Sequence, residues 1–149
     1  MKYLLDTNLL LRLANTGDAQ HQVASVALAV LYSRRAVICI VPQVIHEFWV
    51  ASTRPKDRNG LGYSPVEAAN TISQWANVFK LIEDAPEIHS IWFDLVQRYS
   101  VSGKPALDAR LVAAMIKHGI DRLLTFNDGD FKRFAEIVAE SPLATLQSP

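Results

Sequence analysis

Cysteine is nearly missing from this sequence. The one present, Cys39, sits in the apolar run Val37-Ile38-Cys39-Ile40-Val41 and reads as a small buried hydrophobe. A lone cysteine excludes a disulfide framework within the chain. No His or Cys pair has the spacing of a zinc site. Neither usual type of glycine-rich phosphate loop is found. No nucleophile-elbow motif occurs, although composition alone leaves a Ser-His-Asp arrangement open. Repeats and low-complexity tracts are also lacking. The run at Val37–Val41 is far too short to span a bilayer. The first apolar stretch is broken by Asp6 and Arg12, so no secretory leader is expected. Excess charge is missing as well: 15 basic and 15 acidic residues give a formal net charge of zero. That argues against a generic nucleic-acid coat, which is usually strongly basic, but not against an enzyme touching a few phosphates.

What is there fits one ordinary domain spanning residues 1–149. Half the residues are hydrophobic. A domain of this size buries roughly 70% of the surface its unfolded chain exposes. A soluble cytoplasmic protein is the expectation. Strands are predicted at Lys2–Leu5, Ala36–Val41, Val78–Ile82 and Arg122–Phe126, with a short fifth at Glu136–Ala139. Helical patterns separate them. Val23, Val26, Ala27, Val30 and Leu31 form an amphipathic stripe between Asp18 and Ser33. Pro42 opens a helix running to about Ser52, and the charged, glycine-containing loop Arg54–Gly62 ends it. Ser64-Pro65-Val66-Glu67 matches a capping box, and Asp84-Ala85-Pro86-Glu87 repeats its logic. Pro105 begins a further helix that Gly119 stops. Strands alternating with helices imply a parallel sheet covered on both faces.

Polar positions punctuate this pattern. Asp6 closes the run Tyr3-Leu4-Leu5, and Asn127 follows Leu123-Leu124-Thr125-Phe126. Residues just past the carboxyl ends of parallel strands line the ligand crevice of open α/β sheets. Asp6-Thr7-Asn8 also reads as a helix cap. Glu47 lies beside the apolar stripe of the helix from Pro42, three residues after Val44, where an edge glutamate at the solvent boundary is the bland reading. Asp108 falls in the first turn of the helix from Pro105, where a carboxylate suits the helix dipole. That helix is apolar on more than one face, so a carboxylate on it needs a partner. Asn127-Asp128-Gly129-Asp130 is good turn chemistry. Grouped carboxylates call for a counter-charge, usually a hard divalent metal. Metal-assisted phosphodiester chemistry is therefore the leading expectation.

These segments resemble a PIN domain, and specifically the VapC-type toxin ribonucleases. Tyr3-Leu4-Leu5-Asp6-Thr7-Asn8 resembles the opening PIN motif, whose Asp binds metal. Val44-Ile45-His46-Glu47-Phe48 resembles the helix carrying the second acid, and Leu107-Asp108-Ala109-Arg110-Leu111 begins the segment carrying the third. Leu124-Thr125-Phe126-Asn127-Asp128-Gly129-Asp130-Phe131 resembles the fourth, with Asn127 at the Thr-x-Asp position. The resemblance implies a three-layer α/β/α fold with a central, mainly parallel sheet. It implies Asp6, Glu47 and Asp108 as catalytic acids, with Asp6 and Asp108 binding Mg²⁺ or, in substitution, Mn²⁺. Thr7, Asn8, Asn127 and Asp130 would support the site, Asp130 from the first turn of a helix containing Phe131 and Phe134, with Asp128 exposed.

Single-stranded or structured RNA is the implied substrate, a separately encoded antitoxin the implied partner, and a homodimer the implied assembly. Arg54, Lys56 and Arg58 cluster in the loop and Lys104 and Arg110 flank Asp108, so these are the expected phosphate contacts. The expected attack is by water in line with the leaving 3′ oxygen, giving a 5′-phosphate. Two other classes stay open: a catalytically silent PIN-like RNA-binding or scaffold module, which Asn127 keeps open, and a receiver-like phosphorylated domain. Against the latter, no adjacent acidic pair follows the first strand.

Overall fold

The computed structural model describes residues 1–148. The strands are β1 (Lys2–Leu5), β2 (Val37–Ile40), β3 (Lys80–Leu81), β4 (Arg122–Leu124) and β5 (Val138–Glu140). All pair in parallel, in the order β3-β2-β1-β4-β5. The helices are α1 (Thr7–Ala14), α2 (His21–Ser33), α3 (Pro42–Thr53), α4 (Pro65–Val78), α5 (Glu87–Arg98), α6 (Pro105–His118) and α7 (Pro142–Gln147).

Parallel strands require crossover connections, and these are right-handed. The chain runs outward from β1 through β2 to β3. It then crosses back through α5 and α6 to lay β4 on the free side of β1. Travel in two directions puts helices on both faces, giving the three-layer α/β/α fold. Strand order reverses between β1 and β4, so the crevice opens there, beyond Leu5 and Leu124.

Central β1 shows why these residues form a strand. Tyr3, Leu4 and Leu5 are buried together because β1 has a neighbour on each edge and helices on each face. The core continues through Ile40 and Leu123 of the sheet, Leu9, Val44 and Phe48 of α1 and α3, and Val112 and Met115 of α6. The capping box at Ser64 forms in both directions: Ser64 Oγ accepts the Glu67 amide and Glu67 accepts the Ser64 amide. Gly119 ends α6 at a φ of 62°, a left-handed position suited to glycine. The loop after α3 contains one turn of 3-10 helix at Lys56–Arg58. Gly60 is required in it, since a Cβ there would lie 2.0 Å from the Arg54 carbonyl oxygen.

Some boundaries differ from the sequence reading. Helix α4 retains Val78, and only Lys80–Leu81 remain as the edge strand β3. The fifth strand is Val138–Glu140 rather than Glu136–Ala139. Glu136 instead accepts from Tyr99 Oη and pairs with Arg98, while Glu140 is the polar residue held within the strand by Thr145, Tyr3 and Arg122. Asp84 does not cap α5, whose first turn follows Pro86 without a side-chain cap; it pairs with Arg110. Asp130 belongs to the 3-10 turn Asp128–Phe131, and no α-helix follows through Phe134. Asn127-Asp128-Gly129 turn chemistry prevails there over the apolar spacing of Phe131 and Phe134, both of which are buried.

Candidate active site

Asp6 leaves β1 and caps α1, so the capping and site readings describe one carboxylate. Its Oδ1 accepts the Thr7 amide at 2.7 Å. Its Oδ2 accepts Thr125 Oγ1 at 2.7 Å and Asn8 Nδ2 at 3.1 Å. Thr125, just past β4, is fully buried, and its hydroxyl is saturated. It gives its one proton to Asp6 and accepts from Asn8 Nδ2 and the Asn127 amide, each at 3.0 Å. Asn8 Oδ1 in turn accepts the Phe126 amide at 3.0 Å. The ends of β1 and β4 are thus stitched together around Asp6.

Glu47 reaches the same place from α3. Its Oε2 accepts Thr7 Oγ1 at 2.7 Å and its Oε1 accepts Gln43 Nε2 at 3.0 Å. Asp108 arrives from the first turn of α6. All three acids line one cleft of about 1060 Å³, together with Asn127 and Asp130. Asp128 is half-buried rather than exposed and lies outside the cleft lining. Thr7 and Asn8 line the cleft as well.

The carboxylates raise one another's proton affinity. Burial pushes Asp108 up to about 6, and the charges of Asp6, Asp130 and Glu47 add to it, with Lys104 opposing. Asp6 is also raised, by burial first and by Glu47 as well, against the lowering effect of its hydrogen bonds. Among the described residues no ion pair includes Asp6, Glu47, Asp108 or Asp130. Neutral donors therefore orient Asp6 and Glu47 without cancelling their charge.

That donor set fits a hard divalent cation. It is all oxygen, with two half-buried carboxylates whose ionisation is held back by burial first and by their acidic neighbours as well. Among the described residues no three His, Cys, Asp or Glu groups stand close enough to cage an ion by themselves. Mg²⁺ is commonly held by one or two carboxylates and keeps several waters, so a closed cage is not what it requires.

The basic residues divide. Arg54 and Lys104 line the cleft, whereas Lys56, Arg58 and Arg110 do not. The 3-10 turn carries Lys56 and Arg58 as exposed side chains. Arg110 is drawn away by Asp84 and Gln43 at 3.3 and 3.2 Å. Arg133, which the sequence reading overlooked, does line the cleft, as does the exposed His46. Thr125 was read within the Thr-x-Asp motif but given no role, and Gln43 was overlooked. Thr125 had a visible signal, a hydroxyl in an apolar strand two residues before Asn127. Gln43 had none beyond its four-residue spacing from Glu47.

The family model for the PIN domain matches residues 3–137, and the chain belongs to that family. Within known proteins it is similar to ribonuclease VapC24 of Mycobacterium tuberculosis, at 28% identity over 139 residues, covering 87% of this chain and 89% of that protein. The fold is similar to that of a chain in VapBC2 of Rickettsia felis, solved bound to a DNA fragment from their promoter. That match has a TM-score of 0.71 at 17% identity and covers 95% and 98% of the two chains. It is also similar to VapC20 of Mycobacterium tuberculosis, a sarcin-ricin loop cleaving toxin. There the TM-score is 0.64 at 22% identity, with 89% and 95% covered.

Proposed function

We propose that this chain is a metal-dependent endoribonuclease that hydrolyses RNA phosphodiester bonds and acts as the toxin of a toxin–antitoxin pair. The observation that carries the reading is the convergence of Asp6, Glu47, Asp108 and Asp130 on one cleft, with none of them in an ion pair among the described residues. Membership of the PIN family and the likeness to a VapC ribonuclease support it.

Asp6 and Asp108 are the proposed ligands of Mg²⁺, for which Mn²⁺ would substitute. A divalent ion held there supplies an acidified water at neutral pH and positive charge against the phosphate. Asp6 is kept in place by Thr7, Asn8 and Thr125, so little reorganisation is needed when the site is loaded. Glu47, fixed by Thr7 and Gln43, is placed to accept a proton from water at its carboxylate. Asn127 and Asp130 support the site from the rim. Arg54 and Lys104 hold flanking phosphates. Water displaces the 3′ oxygen, and the product carries a 5′-phosphate.

The reading extends to assembly and setting. The chain acts as a homodimer in the cytoplasm, and the antitoxin inhibits by reaching the acidic cleft with an arginine or an apolar helix. Structurally similar proteins solved as VapBC complexes support such a partner. Among the described residues no helix is long and apolar enough to cross a membrane.

The test is cleavage of an end-labelled RNA by the purified chain with Mg²⁺ and with EDTA. Fragments bearing 5′-phosphates in Mg²⁺ and intact RNA in EDTA are expected. Unaltered binding of RNA with no cleavage in either Mg²⁺ or Mn²⁺ would favour the silent module instead.

A further inference from the structure

We propose that Gln43 is the positioning residue that fixes Glu47 and ties α3 to α6 across the open end of the sheet, with its amide oriented by Arg110. This rests on the proposed metal-dependent site. Gln43 stands one turn before Glu47 on α3. Its Nε2 gives one proton to Glu47 Oε1 at 3.0 Å and the other to the Leu107 carbonyl oxygen at 2.9 Å. Leu107 immediately precedes Asp108, so one amide joins the turn that carries the third acid to the carboxylate of the second.

The amide's orientation is determined by its neighbours. Its Oε1 accepts Arg110 Nη1 at 3.2 Å. A flipped amide would set its oxygen against two acceptors and its NH₂ against a guanidinium, losing all three bonds. Arg110 is itself anchored by Asp84 at 3.3 Å. Neither Gln43 nor Arg110 lines the cleft. The guanidinium thus acts on Glu47 through a neutral amide, and the charge of Glu47 remains available to the cleft. An arginine or lysine in direct contact would have formed an ion pair and competed with a metal. With Thr7 on Oε2, the amide on Oε1 leaves Glu47 little rotational freedom.

The experiment measures Mn²⁺ affinity by electron paramagnetic resonance, in the wild type, Gln43→Met, Arg110→Met and the double variant, with cleavage followed across a Mn²⁺ titration. Gln43→Met keeps the length and removes the donors. Expected are a roughly 10–100-fold weaker Mn²⁺ affinity, because the turn that carries Asp108 loses its tie to α3, and a cleavage rate that stays below wild type at saturating metal, because the proton acceptor Glu47 is no longer fixed. Arg110→Met should weaken Mn²⁺ in the same direction by less. The double variant should be no worse than Gln43→Met alone, because both act through one amide. Unchanged Mn²⁺ affinity in Gln43→Met, or additive losses in the double variant, would overturn the inference. Should Gln43→Met not fold, Gln43→Asn, too short to span Glu47 and Leu107, takes its place with the same criteria. A wild type that binds no Mn²⁺ would overturn the metal-dependent reading itself, whereas equal binding by wild type and Gln43→Met would overturn only the role of Gln43.

Discussion

The Thr125 hydroxyl donates to Asp6 Oδ2 at 2.7 Å, across 119 positions of sequence. This one contact joins the ends of β1 and β4, where the strand order reverses. It also uses the only proton Thr125 has, because both its acceptor positions are filled by Asn8 and the Asn127 amide. Thr125→Val keeps the shape, takes one bond each from Asp6 and Asn8, and leaves the Asn127 amide without its partner. The expected cost is about 1–3 kcal/mol of stability, from these lost bonds. Metal affinity should fall roughly 10–100-fold, while Thr125→Ser should retain most of both. Urea unfolding and a Mn²⁺ titration of the two variants check this; equal behaviour of Val and Ser would contradict it.

Asp108 gives a stability dependence on pH. It ionises at about 6 in the metal-free fold against 3.8 for the ordinary side chain. Between those values the folded state binds more protons than the unfolded one, so the stability this group contributes is lost as pH rises through about 6. Asp108→Asn should therefore raise the melting temperature in EDTA more at about pH 7.5 than at about pH 5. Thermal melts at both pH values measure the difference. A gain of the same size at both would show that Asp108 is not held protonated by its neighbours.

The fourth segment separates by position. Asn127 and Asp130 line the cleft and Asp128 does not. Asn127→Ala and Asp130→Ala should each lose roughly 10–100-fold in activity or metal affinity, less than loss of a primary ligand, with Asp128→Ala near neutral. Cleavage rates across a Mg²⁺ titration rank them. Asp128→Ala emerging as the most damaging would contradict the ranking.

Substrate contacts can be read from salt dependence. Arg54→Gln and Lys104→Gln should each weaken RNA binding and flatten the log affinity against log salt slope by about 0.7, as expected for one phosphate on a single strand. Arg58→Gln, outside the cleft, should leave the slope unchanged. Affinities at several salt concentrations decide between the two sets.

Much of this fold was legible because two strand runs ended in a polar residue and helices began at proline. The run Tyr3–Leu5 stops at Asp6, the run Leu123–Phe126 at Asn127, and Pro42, Pro65 and Pro105 each begin a helix. Position alone placed Asp6 and Asn127 at the carboxyl ends of strands, whereas Glu47 and Asp108 were set as the second and third acids by the family resemblance. Strand order was not legible, since local pattern carries no record of which strand lies beside β1. Arg110 misled for a related reason: nearness in sequence to Asp108 suggested the cleft, but two residues are about 200° around a helix, and Asp84 and Gln43 hold it elsewhere. Gln43 itself was invisible because its partners, Leu107 and Arg110, lie on a helix that only the tertiary fold brings near.

Asp6 is proposed to serve a metal-loaded, RNA-cleaving cleft. The most direct test compares RNA cleavage in Mg²⁺ by wild type and Asp6→Asn, with circular dichroism and thermal melts of both. A folded Asp6→Asn protein without detectable cleavage is expected; relief of like-charge repulsion without metal is offset by the donors that face the new amide NH₂. Cleavage by Asp6→Asn at the wild-type rate would contradict that role.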